Sequence, residues 1–385
     1  MEKIKIFHSA DMHGDLDSLD TYIEYVREKK PDITLITGDL INSVFTEEEL
    51  KHYIKHRELY EGTKMSLLGK VIEEAKKIGK EKIMELFPPQ LFQAIQEDSL
   101  KEKSIIDIHE DNEPSTKDLH EMINPKTPPA IANAISPYLD ARETYQKYVQ
   151  TGRESMESQY REIKRIIENT NCIILPGNHD GECLEEILSE KNIHKKSLTV
   201  KDIKIAGYGS AAGMPVWIPS ALLEKFRGIK VVNKQEKELV YDGSEAGWFM
   251  IEEDPDIAVF HETPLTDESL SAYIQNESPY LILAGHLHEG IGIYKFNEGS
   301  HLILPGKLGN PDMEPKDHST LRTFVEIDML KEKEASVRLQ PEKITFHQIK
   351  DGKIEPFAEY KFDEYGNFKS KENISKDCGL LKGKL

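Results

Sequence analysis

The apolar positions at the amino end fall into two periods. Ile4 to Phe7 is a short apolar run of the kind a buried strand makes, whereas Leu16, Leu19, Ile23 and Val26 recur at helical spacing as far as Arg27. Pro31-Asp32 marks a turn and Ile33 to Thr37 reads as a second buried strand, so the first forty residues predict a βαβ unit. The pattern then changes. From about Ser43 to Glu168 the chain is charged, helix-favouring and poor in strand signals. Val71 to Phe87 predicts a helix stopped by Pro88 and Pro89, and Pro128 and Pro129 punctuate again. Ser136-Pro137 has the form of an N-cap followed by a first-turn proline, opening a long helix to about Ile167. A connection of this length is too long for a structureless loop and predicts a folded helical subdomain, either a solvated bundle or a lid.

Strand signals return at Cys172 to Leu175, Lys201 to Ala206, Ile257 to Phe260, Tyr280 to Leu283, Ile291 to Phe296, His301 to Leu304 and Leu321 to Ile327. Little helix separates the later ones, so the first half reads as parallel and helix-wound and the second half as a meander. Lys343 to Ile349 and Phe357 to Phe362 flank the turn Lys350-Asp351-Gly352-Lys353, and from about Gly366 the chain reads as a loose polar tail. The expected division is an α/β domain of residues 1–42 and 169–330, a helical insertion of 43–168, and an extension of 331–385.

Composition narrows the function. The 385 residues carry a net charge of −19, and the insertion has 24 acidic against 19 basic residues with no basic stripe. Long nucleic acid is gripped by a basic surface that displaces counterions, so a polyanionic partner is disfavoured. Charge to face a phosphate would have to come from bound metal cations. There is no run of eighteen apolar residues to cross a membrane and no signal-peptide pattern at Met1 to His8. Cys172, Cys183 and Cys378 show no CxxC pairing, which suits reduced thiols and a cytoplasmic protein. No feature signals an oligomeric state.

Five short clusters follow predicted buried strands: Asp11-Met12-His13-Gly14, Gly38-Asp39, Gly177-Asn178-His179-Asp180, Phe260-His261, and Gly285-His286-Leu287-His288. Singly, each has a plain structural reading as a capped turn, a helix N-cap or a surface histidine. Together they place oxygen and imidazole donors at the carboxyl ends of strands, where α/β folds build sites, and such donors suit divalent Mn, Fe or Zn. In an extended segment His286 and His288 share a face, so both can reach one metal pair. The other histidines are assigned blandly. His52, His56, His109, His120, His194, His318 and His347 read as surface side chains, His8 and His301 as packing, and Cys183 as a buried thiol. Gly207-Tyr208-Gly209-Ser210 is a weak candidate for a pocket loop, and Met214 to Pro219 is an unusually apolar loop.

In order and spacing the clusters resemble the signature of the calcineurin-like metallophosphoesterases, over about 1–42 and 170–310. His13-Gly14-Asp15-Leu16-Asp17-Ser18-Leu19 is closest in style to the small bacterial and archaeal phosphodiesterases. The resemblance implies a four-layer β-sandwich flanked by helices, here with a large helical insertion. It implies hydrolysis of a phosphodiester or phosphomonoester by two divalent ions, Mn foremost, with Fe, Zn, Ni or Mg as alternatives. Asp11, His13 and His288 would hold one ion, Asn178, His261 and His286 the other, and Asp39 would bridge them. His179 would donate a proton to the leaving oxygen, and Asp180 would orient the His179 ring. Pro305-Gly306 resembles the turn that closes the family core. Asn42 departs from the acidic residue many members place three positions after the bridging aspartate. The absence of Asp-Arg-Gly disfavours the protein phosphatases. The substrate implied is small, phosphorylated or nucleotide-like. A Mn-dependent DNA nuclease and a non-catalytic scaffold, as in the retromer subunit of this fold, are the alternatives.

Overall fold

The computed structural model describes residues 1–42, 44–79, 81–82, 126–181, 183–210, 243–296, 300–309, 321–331, 339–363 and 368–373. These divide into two compact units, Met1–Val44 with Arg153–Leu385, and Phe45–Gly152.

The first unit is built on β1 (Glu2–Ala10), α1 (Leu16–Lys29) and β2 (Ile33–Thr37). The β1 and β2 strands pair in parallel, as the βαβ pattern predicts. Helix α1 starts because the Asp15 side chain accepts the Ser18 N–H at 3.0 Å, and it stops at Lys30, whose φ of 50° leaves the helical region. β3 (Cys172–Leu175) extends the parallel set, and the short helix α4 (Cys183–Leu188) follows it. On the other edge of β1 lie four antiparallel strands, β10 (Arg322–Lys331), β11 (Leu339–Lys350), β12 (Lys353–Phe362) and β13 (Phe368–Asn373). The β11–β12 turn is carried by Asp351 and Gly352, with φ of 51° and 68°, the signature of a primed hairpin turn. The expected polar tail is corrected at its start, because residues 368–373 pair with β12 as a strand.

The second sheet runs β4 (Lys196–Val200), β5 (Ile203–Tyr208), β6 (Ile257–Phe260), β7 (Leu281–Leu283), β9 (His301–Leu304) and β8 (Gly292–Lys295). Strands β5, β6, β7 and β9 are parallel. The meander expected for the second half is therefore corrected. α5 (Gly243–Glu253) and α6 (Glu268–Glu277) connect parallel strands, and the meander begins only at β10.

The central strands of both sheets are buried on both faces, and strict alternation decides which side chain goes where. Ile4, Ile6, Ile33, Leu35, Ile205, Ile257, Val259, Leu281 and Leu283 share one core between the sheets. The intervening Ala206, Ala258, Phe260 and Ile282 pack instead with Met250, Leu270 and Ile274 of α5 and α6. On the outer face of the first sheet, Phe7 stacks on Tyr25 of α1 at 5.6 Å and Tyr22 meets Phe324 edge-on at 4.9 Å. The layers are thus helix, sheet, sheet, helix. On that same outer face His347, read from sequence as a surface residue, is buried: it stacks on Phe324 and lies 3.2 Å from Glu326, which also pairs with Lys5. Burial opposes charge on Glu326, yet hydrogen bonds from His347 and Lys5 outweigh it and hold the carboxyl down at about 2.

The second unit holds α2 (Glu47–Ile78) and the first part of α3 (Pro129–Ile167). Thr46 and Glu49 close a capping box that starts α2, well before the expected Val71. α3 opens at Pro129, with the Pro128 carbonyl accepting from Ile131 and Ala132, so Pro137 lies inside the helix rather than at its first turn. A proline in the first turn gives up an N–H that has no partner there, and Pro129 takes that place first. Tyr60 stacks on Tyr145 at 5.0 Å between the two helices. Residues 83–125, and with them the expected helix end at Phe87, lie outside the described residues, as do His109, His120, His318, Met214 to Pro219 and Cys378.

Candidate metal centre

The five clusters sit in the turns that follow β1, β2, β3, β6 and β7. Backbone hydrogen bonds lace these turns together: Asp11 N–H to the Gly38 carbonyl at 3.2 Å, His13 N–H to that of Asp39 at 2.7 Å, Gly38 N–H to that of Leu175 at 2.7 Å, and Gly285 N–H to that of His261 at 3.1 Å. Asp11, His13, Asp39 and His286 have φ of 53°, 47°, 47° and 64°. Left-handed backbone at a non-glycine residue costs of order 1–3 kcal/mol and persists only where its surroundings enforce it. Four such residues in one site mark a place where side-chain aim has been favoured over backbone ease. Gly38 shows how closely the turns approach: a Cβ there would lie 1.9 Å from His261 Nδ1, and its φ is 83°.

The seven expected ligands come together in two groups. Asp11, His13, Asp39 and His288 offer donor atoms within 4.8 Å of one another, and so do Asp39, His261 and His286. Asn178 joins the second group, with its Oδ1 3.0 Å from His261 Nε2 and 2.9 Å from His286 Nδ1. In the first group His13 Nε2 and His288 Nε2 are 3.0 Å apart, and His288 Nε2 is 3.4 Å from Asp11 Oδ1. Asp39 belongs to both: Oδ1 is 3.5 Å from His261 Nε2, and Oδ2 is 3.8 Å from His13 Nε2.

This donor set fits divalent cations. With the ring neutral, His261 Nδ1–H faces the Thr37 carbonyl at 3.3 Å, which turns the Nε2 lone pair toward the Asn178 oxygen. Two acceptors aimed at one point are reconciled by a cation between them. Burial pushes the His13 imidazole down to about 4 against the pull of Asp39, and burial also lowers His286, so both rings are ready to give lone pairs. Burial works against charge on Asp39 and His261 alike. Attraction to His261, then to His179 and His13, nonetheless lowers the Asp39 carboxyl, and attraction to Asp39 raises the His261 imidazole.

His179 stands outside both groups. Its N–H donates to Asp39 Oδ1 at 2.8 Å, its ring meets that of His13 edge-on at 5.8 Å, and it is half-buried among buried neighbours. Asp180 is the residue expected to orient the His179 ring. Its carboxylate accepts the backbone N–H of Leu40 at 3.0 Å and of Gly177 at 2.8 Å, together with the Tyr160 hydroxyl at 3.0 Å. A fully buried carboxylate needs several donors, and backbone N–H groups in the two adjoining turns supply them. Burial, then the nearby Asp39 charge, push it up to about 7. The 207–210 stretch turns inward: Gly209 N–H donates to His194 Nδ1 at 3.0 Å and Ser210 N–H to the Pro176 carbonyl at 3.0 Å.

Sequence reasoning missed Glu262, whose Oε2 lies 3.4 Å from His286 Nε2, behind the nitrogen that faces Asn178. A carboxylate behind a ligating imidazole orients the ring and raises its basicity. Glu262→Gln is expected to weaken metal binding by about 10- to 100-fold in a calorimetric Mn²⁺ titration, with little change in melting temperature. An unchanged affinity would remove Glu262 from the site.

A model of calcineurin-like phosphoesterases matches residues 4–69 and 107–290, more than half of the chain. The chain belongs to that family. No curated protein matches it. Among solved structures, TT1561 of Thermus thermophilus is 11% identical, with 92% of this chain and 98% of that chain covered and a TM-score of 0.38. A conserved uncharacterized protein of Streptococcus pneumoniae, described as a predicted phosphoesterase, is 10% identical over 93% of this chain and 98% of that one, with a TM-score of 0.30. Wild-type Vps29 of Entamoeba histolytica, solved with Zn²⁺, is 11% identical over 55% of this chain and 89% of its own, with a TM-score of 0.23. Among the described residues, this calcineurin-like phosphoesterase thus carries two candidate metal-binding groups at the carboxyl ends of its strands.

Proposed function

We propose that the protein is a dinuclear metal-dependent hydrolase of small phosphate esters, phosphodiesters foremost, working in the cytoplasm with Mn²⁺. The observation that carries this reading is the division of one carboxylate between two donor groups, Asp39 Oδ1 toward His261 and Oδ2 toward His13. Asp11, His13 and His288 would hold one ion, and Asn178, His261 and His286 the other, with Asp39 common to both. When bound, the pair supplies Lewis acidity and lowers the pKa of water. Nitrogen and oxygen donors without thiolate favour Mn, Fe or Zn over softer metals.

The protein's own residues do the rest. His179 lies beside the shared carboxylate and outside both donor groups, and its ring is the group that would protonate a departing oxygen. Bound divalent ions would make the site locally positive inside a strongly acidic protein, which suits a compact phosphate ester better than a polymer. Cys172 and Cys183 are buried thiols outside any disulfide, in keeping with a reducing compartment.

Purified protein supplied with Mn²⁺ is expected to hydrolyse bis-(p-nitrophenyl) phosphate faster than the monoester, and chelation should abolish turnover reversibly. Inactivity toward both esters with Mn, Fe, Zn, Ni and Mg would overturn the proposal. Faster cleavage of DNA than of either ester would favour the nuclease reading.

A further inference from the structure

The residues on which the ligand-bearing turns rest include two that belong to neither turn. α3 ends at Ile167, and two consecutive side chains near that end reach the turns after β2 and β3. Gln159 Oε1 accepts the Asn42 N–H at 2.9 Å. The Tyr160 hydroxyl donates to Asp180 Oδ1 at 3.0 Å and accepts the Gly181 N–H at 2.8 Å. Asp180 in turn holds the N–H groups of Leu40 and Gly177.

These bonds fall around the functional residues rather than on them. Leu40 and Asn42 follow Asp39, while Gly177 and Gly181 flank Asn178, His179 and Asp180. Asn178 and His179 are therefore suspended between two anchored backbone amides. Asp39, in left-handed backbone, is followed at once by an anchored one. Strained backbone holds its shape only when the surroundings over-determine it, and here a buried phenol and a buried carboxylate do so. The Tyr160 hydroxyl is at once donor and acceptor, so phenylalanine could fill its space without its bonds.

We infer that Gln159 and Tyr160 are positioning residues for the metal centre, fixing through Asn42, Asp180 and Gly181 the turns that carry Asp39, Asn178 and His179. The inference rests on the proposed hydrolysis only for its kinetic readout. The geometry itself predicts an effect on metal binding.

The test uses the full chain with Tyr160→Phe, Gln159→Ala and Gln159→Glu. For each variant, Mn²⁺ affinity is measured by titration of chelator-treated protein, kcat and KM for bis-(p-nitrophenyl) phosphate by steady-state kinetics, and stability by melting temperature. Tyr160→Phe should weaken Mn²⁺ binding and lower kcat by about tenfold or more each, with KM within about twofold of wild type, as loss of an outer-shell partner does. Gln159→Ala should move both in the same direction. Gln159→Glu, which keeps an acceptor oxygen for the Asn42 N–H, should restore them. A Tyr160→Phe protein that melts lower yet keeps wild-type Mn²⁺ affinity and kcat would overturn the inference and leave Tyr160 as core packing. Equal losses in both Gln159 variants would overturn the part assigned to the acceptor. If wild type hydrolyses no ester, the proposed function fails while the Mn²⁺ titrations still decide this one.

Discussion

Replacing Asp39 with alanine is expected to abolish metal loading and to lower hydrolysis of bis-(p-nitrophenyl) phosphate by at least ~10³-fold. The size follows from its position. One oxygen serves the His261, His286 and Asn178 group and the other serves the His13, His288 and Asp11 group, so a single truncation damages both. Asparagine separates the two effects. Its amide oxygen can stay where Oδ1 accepts the His179 N–H at 2.8 Å, while an NH₂ group replaces the oxygen that faces His13. Elemental analysis should then find about two ions per chain in wild type, about one in Asp39→Asn and almost none in Asp39→Ala. Both proteins should fold: asparagine keeps an acceptor for the His179 N–H, and alanine leaves that N–H unsatisfied at a cost of about 1–3 kcal/mol, visible as a lower melting temperature. Full metal content in Asp39→Ala, or turnover near wild type, would sink the assignment of a shared ligand.

The two donor groups were legible because their chemistry is local. Each donor lies within a few residues of a short apolar run, and the runs at Ile33 to Thr37, Cys172 to Leu175, Ile257 to Phe260 and His301 to Leu304 match the strands residue for residue. What was hidden depends on partners far along the chain. Glu262 gains meaning only when His286 approaches it, and Tyr160 only when α3 brings it to Asp180. Tyr160 stands in a charged helical stretch whose pattern says nothing of metals. His347 was misread for the same reason, since its partner Glu326 comes from the neighbouring strand β10. The parallel order of the second sheet was missed because the helices between its strands give weak signals: α6 is ten residues long, and α5 carries two glycines. Edge strand β4, mostly exposed, has no buried run to announce it.

The second large effect concerns His179, and it separates proton transfer from metal binding. His179→Ala removes a ring that lies outside both donor groups, so metal content should stay at the wild-type level while kcat falls by roughly 10²- to 10⁴-fold. The size of the loss should depend on the leaving group. A p-nitrophenolate departs readily without a proton, whereas an alkoxide needs one as the bond breaks, so a general acid contributes far more to cleavage of an alkyl ester. The ratio of wild-type to variant kcat should therefore be smallest for bis-(p-nitrophenyl) phosphate and rise steadily as the leaving-group pKa increases. The backbone N–H of residue 179, which donates to Asp39, is untouched by the substitution, and this keeps the shared carboxylate in place. A ratio that does not vary with leaving group would mean that the ring stabilises charge on the phosphate instead of delivering a proton. A fall in metal content would mean that His179 is a ligand after all.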